Sequence, residues 1–313
     1  MKKRRSFSSA KKDKMNANPK TKRAHWHDYR SPARYMITLS KSPGIPPFSQ
    51  IEGDWRLPVG TRGSSYTRLS SIGRIIADRL YHISDIHPSL KAEQYIVMPD
   101  HVHVLLWVQS ILPDPLGSYI ARFKNAINKA SLTNHIFEDE FNDQIITNKR
   151  NLNSIYNYIR SNPYRLAVRR ACPDFFARCN DMIIAGIPCQ LYGNLHLLDN
   201  PFKDQVIVHK ADSDQTFLAN KDRWLYTASN GGVLVSPFIS PREKFIRKEA
   251  ESSDGKLILI TNSSLGDREK PSGKDFDLCA EGRMLIIAPL IPMPLDRATC
   301  LKMNSLAAYL AMK

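Results

Sequence analysis

Apolar positions recur along the chain at two spacings, and the change between them marks its elements. Short or alternating apolar runs at 35–39, 94–98 and 101–108 predict strands, the last two hinged at Pro99-Asp100. Leu69, Ile72, Ile76, Leu80 and Ile83 recur at helical spacing, and 116–130 and 151–160 read as two further helices. A Pro- and Gly-containing loop fills 43–62, and 141–147 reads as another strand. Few long parallel crossovers fit this order, so the first half predicts an α+β sandwich with an antiparallel sheet. After about residue 190 the pattern changes. Short apolar runs at 195–198, 205–209, 233–238, 257–261 and 284–288 alternate with helical segments near Asp222, Glu243 and Leu306, which predicts a small, mostly parallel α/β domain.

The first 30 or so residues carry Lys, Arg, Ser and Asn with hardly any aliphatic side chains, and 1–32 is expected to be a disordered basic arm. Lys and Arg number 45 against 30 Asp and Glu over the 313 residues, a formal charge of +15 and a pI near 9.6. A surplus of this size favours a polyanionic partner, because each neutralised phosphate releases condensed counterions. The five cysteines are odd in number, and the spacing of Cys172, Cys179 and Cys189 does not match a zinc ribbon, so buried free thiols are expected. No apolar stretch follows the basic N-terminus, and no run approaches the roughly 18 apolar residues of a membrane span. The expected location is cytoplasmic and nucleoid-associated.

The sharpest local feature is the strand at 101–108. Alternation places His101, His103, Leu105 and Trp107 on one face and Val102, Val104, Leu106 and Val108 on the other, which must pack on a helix layer. Two histidines separated by about 7 Å of rise can converge on one ion. His25-Trp26-His27 has the same spacing but lies beside the basic tail with no strand around it.

In the helix at 151–160, Leu152, Ile155, Tyr156 and Ile159 form the apolar stripe. Tyr158 projects about 110° from the centre of that stripe and leaves the core, whereas Tyr156 sits at its edge. Asn162 follows Tyr158 by one turn and shares its face if the helix reaches that far. Alternatively the helix ends before Pro163, and Asn162 caps a new one.

Three segments in order, 98–106 (Met-Pro-Asp-His-Val-His-Val-Leu-Leu), 141–146 (Phe-Asn-Asp-Gln-Ile-Ile) and 158–163 (Tyr-Ile-Arg-Ser-Asn-Pro), resemble the single-tyrosine HUH transposases, and among them the REP-associated tyrosine transposases. The resemblance covers about 33–170. It implies a ferredoxin-like (RRM-like) antiparallel sheet with helices on one side and a domain at 33–175. It further implies that His101 and His103 bind Mg²⁺ or Mn²⁺, that Asn162 is the third ligand and that Tyr158 is the nucleophile. The implied reaction is cleavage and rejoining of single-stranded or hairpin DNA through a 5′-phosphotyrosine. A homodimer is compatible with this reading. Arg122, Lys124, Lys149, Arg150, Arg165, Arg169 and Arg170 are candidate phosphate contacts. A hairpin-binding protein that keeps the fold without catalysis is the alternative, and a hydrolase of small phosphate esters is a third.

The remaining domain, at 190–313 and Rossmann-like in its alternation, has no counterpart in the minimal transposase. Its segment Asn230-Gly231-Gly232, followed by an apolar run and a charged helix, resembles DNA-processing and lysine-decarboxylase-like Rossmannoid folds, in which such a turn beside a helix N-terminus holds phosphate. A plain tight turn is the other reading.

Overall fold

The computed structural model describes residues 23–148, 152–266 and 270–313. Residues 1–22 of the expected arm, and the candidate contacts Lys149 and Arg150, lie outside the described residues. The chain divides into two compact units, Met1–Pro163 and Tyr164–Lys313.

The first unit is a mixed α and β structure around an antiparallel sheet. Its elements run β1 (Ala33–Ser40), β2 (Ser49–Glu52), β3 (Tyr66–Leu69), α1 (Ser71–Tyr81), β4 (Leu90–Val97), β5 (His101–Val108), α2 (Leu116–Ser131) and β6 (Asn142–Ile145). They are followed by α3 (Leu152–Ala171), whose residues up to Pro163 belong to this unit. β2 and β3 pair only with each other, while the main sheet has the order β4-β5-β1-β6. With that hairpin set aside, the connectivity is β-α-β-β-α-β.

The valines of β5 explain its place. Branched side chains suit the pleated surface, and Val102, Val104, Leu106 and Val108 pack with Tyr35, Ile37 and Leu39 of β1 against Ile76 and Leu80 of α1 and Tyr119, Phe123 and Ile127 of α2. α1 begins where Ser70 accepts a hydrogen bond from the Gly73 N–H at 3.1 Å. Gly73 also permits close approach, since a Cβ there would lie 2.0 Å from the Phe48 carbonyl oxygen.

The other face of the sheet is not bare. Ile159 of α3 is fully buried against Met36 and Leu105, with Ile155, Leu152 and Ile96 around it. The expectation of helices on one side therefore needs correction, because α1 and α2 cover one face and the start of α3 covers part of the other. α3 also runs through Pro163 as one helix. The ring denies a hydrogen bond to the carbonyl one turn back, but the helix does not break there, so Asn162 lies inside it and is not a cap.

Residues 23–32 are ordered, unlike the expected arm. Arg23 pairs with Asp143 of β6 at 3.1 Å and lies over the Phe141 ring. Tyr29 donates to Asp143 at 2.8 Å, and His27 meets the Tyr35 hydroxyl at 2.7 Å.

The second unit contains β7 (Ala177–Ile184), β8 (Ile187–Gly193), β9 (Lys203–Gln205), α4 (Asp214–Ser229), β10 (Val233–Ser236), α5 (Pro241–Ser252), β11 (Lys256–Ile260), α6 (Lys274–Ala280), β12 (Met284–Pro289) and α7 (Arg297–Met312). Its sheet has the order β7-β8-β12-β11-β10-β9, with β9 to β12 mutually parallel, β8 antiparallel to β12 and β7 antiparallel to β8. The β7–β8 hairpin belongs to this unit, which begins at Tyr164, before both the 175 and the 190 expected as domain bounds. Trp224 of α4, Ile246 of α5 and Leu278 of α6 cover one face, and Met303, Leu306 and Leu310 of α7 cover the other.

The Asn230-Gly231-Gly232 turn closes the C-terminal end of α4, with the Asn230 N–H on the Tyr226 carbonyl and the Gly232 N–H on the Thr227 carbonyl. Carbonyls, not N–H groups, face that end, so the plain turn is the correct reading and the phosphate reading falls. The N–H groups of Ile239, Ser240 and Glu243 around the start of α5 have side-chain acceptors. The buried carboxylate of Glu243 accepts from the N–H groups of Val208, Ile239 and Ser240 at 2.8–3.0 Å.

Candidate active site

The site lies on the sheet face opposite α1 and α2. β5 is hydrogen-bonded on both sides, to β1 and β4, which leaves its histidines little freedom of position. The His101 and His103 rings sit with centroids 4.5 Å apart, tilted by 68°. Each has an oxygen partner at Nδ1. The Asp100 carboxylate lies 2.7 Å from Nδ1 of His101, and the Thr38 hydroxyl lies 2.9 Å from Nδ1 of His103. Thr38 reaches His103 because the antiparallel register of β1 and β5 sets the two directly opposite. Partners of this kind fix ring orientation and tautomer, and they direct Nε2 outward as the ligand atom.

Burial dominates the electrostatics of His103. It pushes the imidazole pKa down to about 3; His101 acts in the same direction and Asp100 opposes both. His103 is therefore neutral over the physiological range and keeps a lone pair to offer.

α3 supplies the tyrosine. With Ile159 locked into the sheet face, the preceding residue turns toward the histidines. The Tyr158 hydroxyl lies 3.4 Å from Nε2 of His103, with ring centroids 5.4 Å apart, and the side chain is still 39% exposed. A gap of 3.4 Å is long for a hydrogen bond but places the phenol oxygen at the imidazole edge. Tyr156 faces elsewhere, next to Glu93 and Arg34, where burial and the Glu93 carboxylate raise its pKa. Arg34 is itself held by Glu93 at 2.7 and 2.9 Å and lies over Trp107. Asn162 is buried, and its amide nitrogen donates to the Tyr158 carbonyl at 2.7 Å.

Among the described residues no three His, Cys, Asp or Glu side chains converge as a metal-binding group. The donor set is thus two imidazoles with both Nδ1 atoms engaged. That set fits an open divalent site in which most positions fall to substrate oxygens and water, and it does not fit a closed structural zinc site.

The described candidate basic residues have partners of their own or lie in the second unit. Lys124 donates to the carbonyls of Glu138 and Asp139 at 2.6 and 2.8 Å, and burial lowers its pKa. Arg122 pairs with Asp114 at 3.0 Å. Arg165 donates to the Pro271 carbonyl and stacks 3.6 Å from the Phe276 centroid, within the second unit. Arg169 and Arg170 close α3 in that unit, Arg170 exposed and Arg169 half-buried. Thr38 and Asp100 are the functional neighbours that composition and spacing do not single out. Asp100 was legible as the residue next to His101, whereas Thr38 depends on strand register.

No family model matches the chain, and no curated protein matches it. Among solved structures, it is similar to a REP-associated tyrosine transposase bound to a REP hairpin, at 15% identity over 45% of this chain and 72% of that one, with a TM-score of 0.34. A candidate transposase of Deinococcus radiodurans R1 is similar at 16% identity, over 42% of this chain and 92% of that one, with a TM-score of 0.25.

Proposed function

We propose that the first unit is a ferredoxin-like HUH domain that nicks and rejoins single-stranded or hairpin DNA with Tyr158 as nucleophile. The observation that carries this reading is the Tyr158 hydroxyl 3.4 Å from His103, itself beside His101 on one strand. The order β4-β5-β1-β6 and the β-α-β-β-α-β connectivity support the fold assignment.

His101 and His103 would hold Mg²⁺ or Mn²⁺ through Nε2, with the amide oxygen of Asn162 as third ligand. Such an ion supplies polarisation of the scissile phosphate and offsets charge that builds on it. Asp100 and Thr38 keep both rings oriented. Tyr158 Oη forms a bond to phosphorus as the bond from phosphorus to the 3′ oxygen breaks. That oxygen takes up a proton to become a free 3′-hydroxyl, while the phenol gives one up. The resulting 5′-phosphotyrosine conserves the energy of the ester, so a second 3′-hydroxyl can reverse the step.

The test is covalent adduct formation between the full chain and labelled hairpin oligonucleotides in Mn²⁺ or Mg²⁺. Adduct is expected for the parent protein and for Tyr156→Phe, and a drop of about a thousandfold or more for Tyr158→Phe, which lacks the nucleophilic oxygen. Adduct surviving in Tyr158→Phe would overturn the assignment. Tight, chelator-indifferent hairpin binding without adduct would instead support a non-catalytic binding protein.

A further inference from the structure

Beside the candidate site, within the first unit, opens a cleft of about 390 Å³. One wall is β4, where Ile96 stands opposite His103 and Gln94 opposite Leu105, on the histidine face of the sheet. Another is α3, contributing Ile159 and Arg160, the two residues that follow Tyr158. The third is the loop of the β2–β3 hairpin. Its volume lies near the lower end of the range for small-molecule sites.

Two polar groups of this cleft lack a hydrogen-bond or ion-pair partner among the described residues. Arg160 makes no ion pair and no side-chain hydrogen bond with a described residue, and no carboxylate lines the cleft. The Ser65 hydroxyl oxygen is buried and lacks a hydrogen-bond partner among the described residues. The guanidinium lies against Gly60, whose φ of +86° is a backbone conformation that favours glycine. Tyr66, the first residue of β3, donates its hydroxyl to Glu52 at 2.7 Å and leaves much of its ring in solvent. An unpaired guanidinium suits a phosphate, an orphan hydroxyl suits a base edge or sugar, and an anchored exposed ring suits stacking.

We propose that this cleft holds one nucleotide of single-stranded DNA flanking the scissile phosphate, with Arg160 on its phosphate and Ser65 on its base or sugar. The nucleotide's position beside the scissile phosphate rests on the strand-transfer reading; nucleotide binding in the cleft does not. The role gives the β2–β3 hairpin a purpose, since it supplies Gly60, Ser65 and Tyr66 to a site whose other walls carry the chemistry.

The test is fluorescence anisotropy of the full chain with a fluorescein-labelled, random-sequence, single-stranded DNA pentamer in the presence of chelator, so that no cleavage occurs. Arg160→Ala is expected to weaken binding about tenfold and Arg160→Lys to recover part of the loss. Arg79→Ala removes an exposed charge on α1, across the sheet, and is expected to change binding less than twofold. Because Arg160 is exposed, its variants should melt with the parent protein, which a thermal scan checks. Equal losses for Arg79→Ala and Arg160→Ala, or binding by Arg160→Ala within twofold of the parent, would overturn the proposal. Arg160-dependent binding with no adduct from any hairpin would keep the cleft and remove the strand-transfer reading. Normal adduct with pentamer binding unchanged in Arg160→Ala would do the reverse.

Discussion

At the scale of single residues, the candidate site depends on one histidine that burial keeps uncharged. His103 offers a lone pair because burial keeps it neutral, and Thr38, not a carboxylate, occupies its Nδ1. The sign of the resulting pH dependence follows. The folded pKa is about 3 and the ordinary value is 6.5, so between the two the unfolded chain binds a proton that the folded chain does not. Stability is then independent of this group above pH 6.5 and falls as the pH drops below it, by at most about 1.4 kcal/mol per pH unit. Urea midpoints of the parent and His103→Asn, measured in chelator at pH 7 and pH 5, should show the steeper decline in the parent. Equal declines would mean that His103 is not held neutral. The pairing of His101 with His103 on one face, and the departure of Tyr158 from the apolar stripe, were legible from local periodicity. Thr38 was not, because nothing near it in the chain points to a histidine 65 positions away.

At the scale of elements, α3 is the piece that converts a strand face into a site. Its apolar stripe was readable, but its length was not, because Pro163 permits either a stop or a continuation and only packing decides between them. Ile159 is the fastening point, fully buried against Met36 and Leu105. Ile159→Ala should cost about 2–5 kcal/mol of stability, as cavities in packed cores do. It should also loosen Tyr158 from His103, so that adduct formation falls even where a denaturant curve shows the variant still folded. Unchanged stability would show that α3 is held by other contacts. The second unit shows the same division of labour. The alternation of short strands with helices was readable after residue 190, whereas the recruitment of the β7–β8 hairpin to the sheet edge was not, since antiparallel pairing with β12 joins segments about a hundred residues apart.

At the scale of the whole molecule, the charge of +15 points to a polyanion without locating its interface. Individual cations are committed elsewhere: Lys124 to loop carbonyls, Arg122 to Asp114 and Arg165 to Pro271 and Phe276. Affinity for single-stranded DNA should still fall about tenfold or more between 50 and 200 mM salt if several phosphates are neutralised, which anisotropy titrations would measure; a flat response would contradict a phosphate-led interface. The sequence by itself determined which side chains share a face, which tyrosine leaves the core and what sign of partner the chain attracts, because these depend on neighbours a few residues apart and on summed charge. Only the tertiary structure decided that Thr38 meets His103, that the start of α3 lies across the histidines, that Arg160 has no ion-pair partner among the described residues of its cleft and that Glu243 accepts from the N–H groups of Ile239 and Ser240. Those outcomes depend on strand register and on packing between distant segments, whose energies no local pattern of residues encodes.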